Sequence, residues 1–133
     1  MKPKKSLGQN FLNDKNILNN IVNIGNISNE DIIVEIGPGT GNLTQKILEK
    51  KPKSLVVIEK DDKLASSLKN KFGEKVEVIN NDILNCYKDL KFNKPIKIYG
   101  NLPYNISTKI LVSFLKINEL SRFCKKFIFI FQK

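Results

Sequence analysis

Apolar positions along the chain fall into helical stripes separated by short continuous runs. Ile17, Leu18, Ile21, Val22 and Ile24 are at helical spacing. Asn13 or Asp14 is placed to cap that helix and Gly25 to end it. Ile32-Ile33-Val34-Glu35-Ile36 is a short run that enters Gly37-Pro38-Gly39-Thr40-Gly41, which predicts a buried strand leading into a glycine loop. Leu43, Ile47 and Leu48 predict a helix that stops before Pro52. Leu55-Val56-Val57-Ile58-Glu59 predicts a second strand. Asp61 to Lys71 predicts a helix with Leu64, Ala65 and Leu68 inward and two acids in its first turn, where the helix dipole favours them.

The alternation continues to the end of the chain. Val76 to Ile79 predicts a third strand that ends at Asn80-Asn81-Asp82. Ile96 to Tyr99 predicts a fourth, ending at Gly100-Asn101-Leu102-Pro103-Tyr104 with Pro103 setting a turn. Ser107 or Thr108 is placed to cap a helix carrying Ile110, Leu111, Phe114 and Leu115, and Phe127 to Phe131 predicts a fifth strand. Strands that are apolar throughout and alternate with helices imply a mostly parallel sheet with helices on both faces. In such α/β sheets ligands bind beyond the carboxyl ends of the strands. The polar and glycine-rich residues lie there: Gly37 to Gly41, Glu59, Asp82 and Asn101.

Composition narrows the chemistry. The chain has 133 residues, a formal net charge of +10, no histidine and two cysteines. Without His, and with Cys86 and Cys124 far apart in the chain, neither a structural zinc site nor a His-based catalytic constellation is available, so no metal is expected. No apolar run reaches the roughly 20 residues of a membrane span. The basic start, Met1-Lys2-Pro3-Lys4-Lys5, is not followed by an apolar signal segment, so a cytoplasmic location is expected. All of the 23 basic residues except Arg122 are Lys. Together with abundant Asn and Ile this composition matches AT-rich codons. The charge therefore reads equally as surface solubility or as attraction to nucleic-acid phosphates.

Three loops carry candidate chemistry. Gly37, Gly39 and Gly41 form G-x-G-x-G, and small residues let backbone approach a ligand closely. Glu59, at the end of the next strand, can accept hydrogen bonds from both hydroxyls of a ribose, so loop and acid imply a nucleoside-containing cofactor. The alternative is a tight turn and a solvated acid. Asp82 can accept from an adenine amino group, or can simply form a turn. Asn101-Leu102-Pro103-Tyr104 is the most specific segment. A base amino nitrogen is a poor nucleophile, because its lone pair is delocalised into the ring. The Asn101 side-chain oxygen and the Leu102 carbonyl can accept from its two N–H groups, and Tyr104 offers a face for stacking.

These motifs resemble the ribosomal RNA adenine dimethyltransferase family. Ser6-Leu7-Gly8-Gln9-Asn10-Phe11-Leu12, the loop from Glu35 to Thr44, Glu59, Asn81-Asp82-Ile83-Leu84 and the segment from Asn101 to Thr108 are similar to its motifs in order and spacing. The resemblance implies a Rossmann-like S-adenosylmethionine-dependent methyltransferase fold. It implies cofactor contacts at Asn10, Leu12, Gly37, Gly39, Gly41, Glu59, Asp82 and Asn101, with Asn101 to Tyr104 holding the target adenine N6. The implied products are S-adenosylhomocysteine and N6,N6-dimethyladenosine at two adjacent adenosines near the 3′ end of small-subunit rRNA. The implied partner is the immature 30S particle, and the full-length enzyme would be a monomer. Related large-subunit rRNA methylases carry another residue after the first loop glycine and Ile in place of Leu102, so Pro38 and Leu102 point to the small-subunit branch. Family members continue with further strands and a small helical C-terminal domain, so residues 1–133 are expected to be an incomplete N-terminal methyltransferase domain, a fragment of weak activity. Two rival readings stay open: an RNA-binding assembly factor without catalysis, and a methyltransferase acting on a small molecule or protein.

Overall fold

The computed structural model describes residues 14–90, 92, 95–115 and 124–132. The N-terminal motif from Ser6 to Leu12, with Asn10 and Leu12, lies outside the described residues. The first helix, α1 (Lys15–Ile24), starts as expected: Asp14 Oδ1 accepts from the Asn16 N–H at 2.8 Å and the Ile17 N–H at 3.2 Å. Leu18 and Val22 are buried, but Ile24 is 59% exposed. Two residues beyond Val22 is more than half a turn of helix, which carries Ile24 to the outer side.

The remaining elements follow the expected order, except that a short helix (Ile83–Cys86), which the sequence did not predict, stands between the third and fourth strands. They are β1 (Ile32–Ile36), α2 (Asn42–Glu49), β2 (Ser54–Ile58), α3 (Asp62–Phe72), β3 (Glu77–Ile79), α4 (Ile83–Cys86), β4 (Ile96–Pro103), α5 (Tyr104–Leu115) and β5 (Cys124–Gln132). Asp61 caps α3, its Oδ1 accepting from Leu64 N–H at 2.9 Å. The five strands pair in the order β3-β2-β1-β4-β5, every pair parallel.

Side chains alternate across each strand, so an apolar run buries both faces. Ile33, Val57 and Tyr99 point to one face, against Leu18 and Val22 of α1, Leu43 and Ile47 of α2, and Leu68 and Phe72 of α3. Val34, Ile36, Ile58 and Ile98 point to the other, against Ile83, Cys86 and Ile110. Chain order along the sheet reverses between β1 and β4. Their carboxyl ends therefore diverge into a crevice, the place where such sheets bind ligands.

The end of β4 corrects two expectations. Pro103 does not set a turn: β4 runs through it, with Asn101, Leu102 and Pro103 in register with Ile130, Phe131 and Gln132 of β5. The partner strand is long enough to keep the ladder going. Pro103, which has no N–H to give to it, takes the last position. Helix α5 then begins at the next residue, so Ser107 and Thr108 lie inside it and do not cap it.

Carbonyls at and just beyond the C-terminus of α1 are satisfied from the sheet, an arrangement with no local sequence signal. Tyr99 Oη donates to Val22 O at 2.7 Å, Lys126 Nζ to Ile24 O at 2.8 Å, and Lys97 Nζ to Asn26 O at 3.0 Å. Lys97 also pairs with the buried Asp31 at 2.7 Å. Burial pushes the Tyr99 phenol up to about 12, so it remains a donor. Gly25 makes room for that ring, since a Cβ there would lie 1.9 Å from Tyr99 Oη. Its φ of −73° suits any residue, so the cost of Gly25→Ala is overlap alone. The expected loss is roughly 1–3 kcal/mol, the usual range for overpacking, and an unchanged urea midpoint would contradict it.

Among the described residues β5 pairs with β4 alone, and Phe127, Ile128, Phe129 and Ile130 are buried or half-buried. A long apolar edge strand is a template for pairing. The 133-residue chain by itself is expected to self-associate at micromolar concentration, and a clean monomer on size-exclusion chromatography would count against this.

Candidate functional site

The glycine loop and the Asn101–Tyr104 segment meet at the crevice. Gly37 N–H donates to Ile58 O at 2.9 Å, which extends the sheet ladder by one rung. The chain then turns at φ +70°, and a Cβ on Gly37 would lie 2.6 Å from Leu102 Cδ2 and 3.3 Å from Asn101 O. Only glycine fits between β1 and the end of β4. Gly39, at φ +59°, has no atom within 4 Å of its missing Cβ, so the loop crest faces open space. Gly41 has a packing reason of its own: its Cβ position lies 2.9 Å from Phe72 Cε2 and 3.0 Å from Leu68 Cδ2, which lets α2 start against α3.

Glu59 ties the loop to β2. Its Oε1 accepts from the Gly39 N–H at 3.1 Å and its Oε2 from the Asp61 N–H at 3.0 Å. The residue is 6% exposed. An ionised carboxylate has about four acceptor positions, so each oxygen keeps one for a further donor. Asp82 acts as a turn former and cap. Its Oδ1 caps α4 by accepting from the Leu84 N–H at 3.0 Å, and its own N–H donates to Asn81 Oδ1 at 2.7 Å.

A pocket of about 230 Å³ gathers Gly37, Glu59, Asp82, Leu102 and Pro103 on shared walls. Asn101 is half-buried beside it. Alternation along β4 places Asn101 on the face of Tyr99 and Leu102 on the opposite face, so the motif straddles the sheet. Tyr104 opens α5, and its side chain lies outside what the structure describes.

Glu35 is a site residue that sequence reasoning quoted within the loop but gave no role. It is fully buried two residues before Gly37, with Tyr99 as its register partner on β4. Its Oε1 accepts from Thr44 Oγ1 at 2.5 Å, and its Oε2 has no partner among the described residues. Burial pushes its carboxyl up to about 7, with the Thr44 hydrogen bond pulling down and the Glu59 charge adding to the rise. The available signal was a lone acid inside an apolar strand.

The profile of the family described as Ribosomal RNA adenine dimethylase matches residues 1–133. A Ribosomal RNA small subunit methyltransferase A from Pelagibacter ubique (strain HTCC1062) is 54% identical over 111 residues, 84% of this chain and 42% of that protein. One of the same name from Sulfurihydrogenibium sp. (strain YO3AOP1) is 42% identical over all of this chain and 52% of its own length. The chain thus spans about half the length of the curated relatives it matches, or less. Among solved structures, the 23S rRNA methyltransferase ErmE superposes with a TM-score of 0.68 at 27% identity, over 77% of this chain and 41% of that one. A dimethyladenosine transferase from Plasmodium falciparum gives 0.66 at 30% identity, over 80% and 38%. The parallel sheet and its crevice are those of a Rossmann-like S-adenosylmethionine-dependent methyltransferase fold.

Proposed function

This chain belongs to the ribosomal RNA adenine dimethylase family, and from that premise we propose that it is the cofactor-binding part of a small-subunit rRNA (adenine-N6,N6)-dimethyltransferase. The observation that carries the reading is the contact of Gly37 with Leu102 and the Asn101 carbonyl. It sets a nucleoside-binding loop directly against a planar-amine acceptor pair, as transfer between a bound cofactor and a base requires.

The residues suit S-adenosylmethionine. Glu59 retains an acceptor position on each oxygen for the two ribose hydroxyls. Asp82 lines the same pocket for the adenine amino group, and the open crest at Gly39 leaves backbone accessible. Gly37 and Gly41 complete the loop, and Asn10 and Leu12 of the N-terminal motif contribute from before α1. When bound, the cofactor supplies an electrophilic methyl group on a sulfonium. Asn101 and the Leu102 carbonyl accept from the two N–H groups of the target base and turn its lone pair toward the methyl. Pro103 holds the strand end rigid, and Tyr104 supplies a stacking surface. None of these steps needs a titrating base at the acceptor, in keeping with a chain that has no His.

The partner is small-subunit rRNA within the immature 30S particle, with two adjacent adenosines modified. The target must leave its stack to reach the clamp. The surplus of lysines grips phosphates without reading sequence. No helix among the described residues is long and apolar enough to cross a membrane, and the reading places the enzyme in the cytoplasm as a full-length monomer.

Calorimetry with S-adenosylmethionine and tritiated methyl transfer to immature 30S particles test the proposal together. Methyl incorporation into free small molecules or protein, with none into 30S rRNA, would overturn it. Glu59→Gln gives a separate check. The amide NH2 must face either the Gly39 or the Asp61 N–H, and one ribose acceptor is lost. Hydrogen bonds to charged groups contribute about 1.5–3 kcal/mol, so cofactor affinity is expected to fall roughly tenfold or more. Unchanged affinity would remove Glu59 from the ribose.

A further inference from the structure

A groove of about 440 Å³ opens between the α4 turn and α5, walled by Leu84, Tyr87, Thr108, Lys109 and Val112. Leu84 also lines the pocket of Glu59 and Asp82, so the two spaces share a wall. Helix α5 begins at position 104, and positions 108 and 112 continue the same stripe one and two turns on. The groove therefore leads away from the Asn101–Tyr104 segment along the helix that the segment starts.

Its chemistry is mixed in a particular way. Val112 is 46% exposed, one of the few large apolar side chains at the surface among the described residues. An exposed Val alone needs no explanation. Here it lines a concavity with an aromatic ring and one cationic side chain, Lys109, while a second cation, Lys88 Nζ, lies 5.9 Å from the centroid of the Tyr87 ring. Apolar planar surface with cations at its edge complements a nucleotide, which has a flat base and a phosphate.

We propose that this groove receives a nucleotide flanking the target adenosine, its base against Tyr87, Leu84 and Val112 and its phosphate against Lys109 and Lys88. The inference rests on the reading of the chain as an RNA methyltransferase. Drawing one base out of a strand strips its neighbour of a stacking partner. A surface that restacks that neighbour stabilises the strand with the target extended.

The test measures fluorescence anisotropy of a labelled short single-stranded RNA containing two adjacent adenosines, with the full chain and its Tyr87→Leu and Lys109→Glu variants. Tyr87→Leu is expected to weaken RNA binding about fivefold or more, the lower end for loss of one base–aromatic stack. Lys109→Glu, on an exposed position, is expected to weaken binding and to reduce the salt slope by about one. Calorimetric affinity for S-adenosylmethionine should stay unchanged in both. A photoreactive phenylalanine analogue at position 112 should crosslink to the RNA. RNA affinity unchanged in both variants, or a crosslink to another stretch of the same chain, would overturn the groove and leave the methyltransferase reading standing. A wild-type chain that binds S-adenosylmethionine but not the RNA would overturn the RNA reading and the groove with it.

Discussion

Asn101→Ala is expected to lower methyl transfer to 30S particles by about two to three orders of magnitude. The range is that of deleting one preorganised hydrogen-bonding group from a reaction centre. RNA affinity and cofactor affinity should each change by less than about tenfold, because the interaction lost is the one that matters as the amino nitrogen becomes nucleophilic. Stability offers little confusion. Asn101 is half-buried, and its backbone remains paired with Ile130 of β5 whatever the side chain. The measurement also separates two roles. If Asn101 acts mainly on the cofactor, the variant raises the KM for S-adenosylmethionine and spares kcat. If it acts on the target amine, kcat falls. Asn101→Asp keeps an acceptor oxygen and should recover part of the lost turnover. A variant with wild-type turnover would reject the assigned role outright.

What the chain made legible, and what it hid, divides by range along the sequence. The strands could be read because a parallel sheet covered on both faces needs residues that are apolar throughout, such as Ile32 to Ile36 and Leu55 to Ile58. The cap at Asp14 was legible because a side chain meets N–H groups two or three residues on, whereas Asp61, read as a first-turn acid, proves to be the cap of α3. The end of β4 was not, because whether Pro103 turns or stays extended depends on β5, more than twenty residues away. Nor was the support of α1, where Tyr99, Lys97 and Lys126 reach carbonyls from distant parts of the sheet. The site shows the same division. Each motif could be read for a candidate chemistry from its own residues. That Gly37 packs on Leu102, that Glu59 already holds the loop before any ligand arrives, and that Glu35 is sealed beneath it are facts of assembly.

The second large effect concerns that sealed acid. Glu35 keeps its proton in the folded chain up to about pH 7, against the usual 4.5. Between those values the folded state binds the proton and the unfolded state has lost it. Stability therefore falls as pH rises from 4.5 to 7 and levels off above 7, where both states are ionised. The shift corresponds to roughly 3 kcal/mol across the window. Glu35→Gln has no charge to acquire. Its amide oxygen can still accept from Thr44, and its NH2 takes the position of the partnerless Oε2, where the protonated carboxyl already carries an unpaired O–H. The variant should thus be close to wild type in stability at pH 5 and more stable than it at pH 8. The quantity to follow is the difference between the two urea-unfolding curves with pH, since other groups titrate alike in both. A difference that is flat from pH 5 to 8 would mean that Glu35 is ionised in the fold already at acid pH. The expected result carries a functional corollary. The Glu59 charge is one cause of the raised Glu35 value, and a neutral Glu35 spares the base of the loop a second buried negative charge.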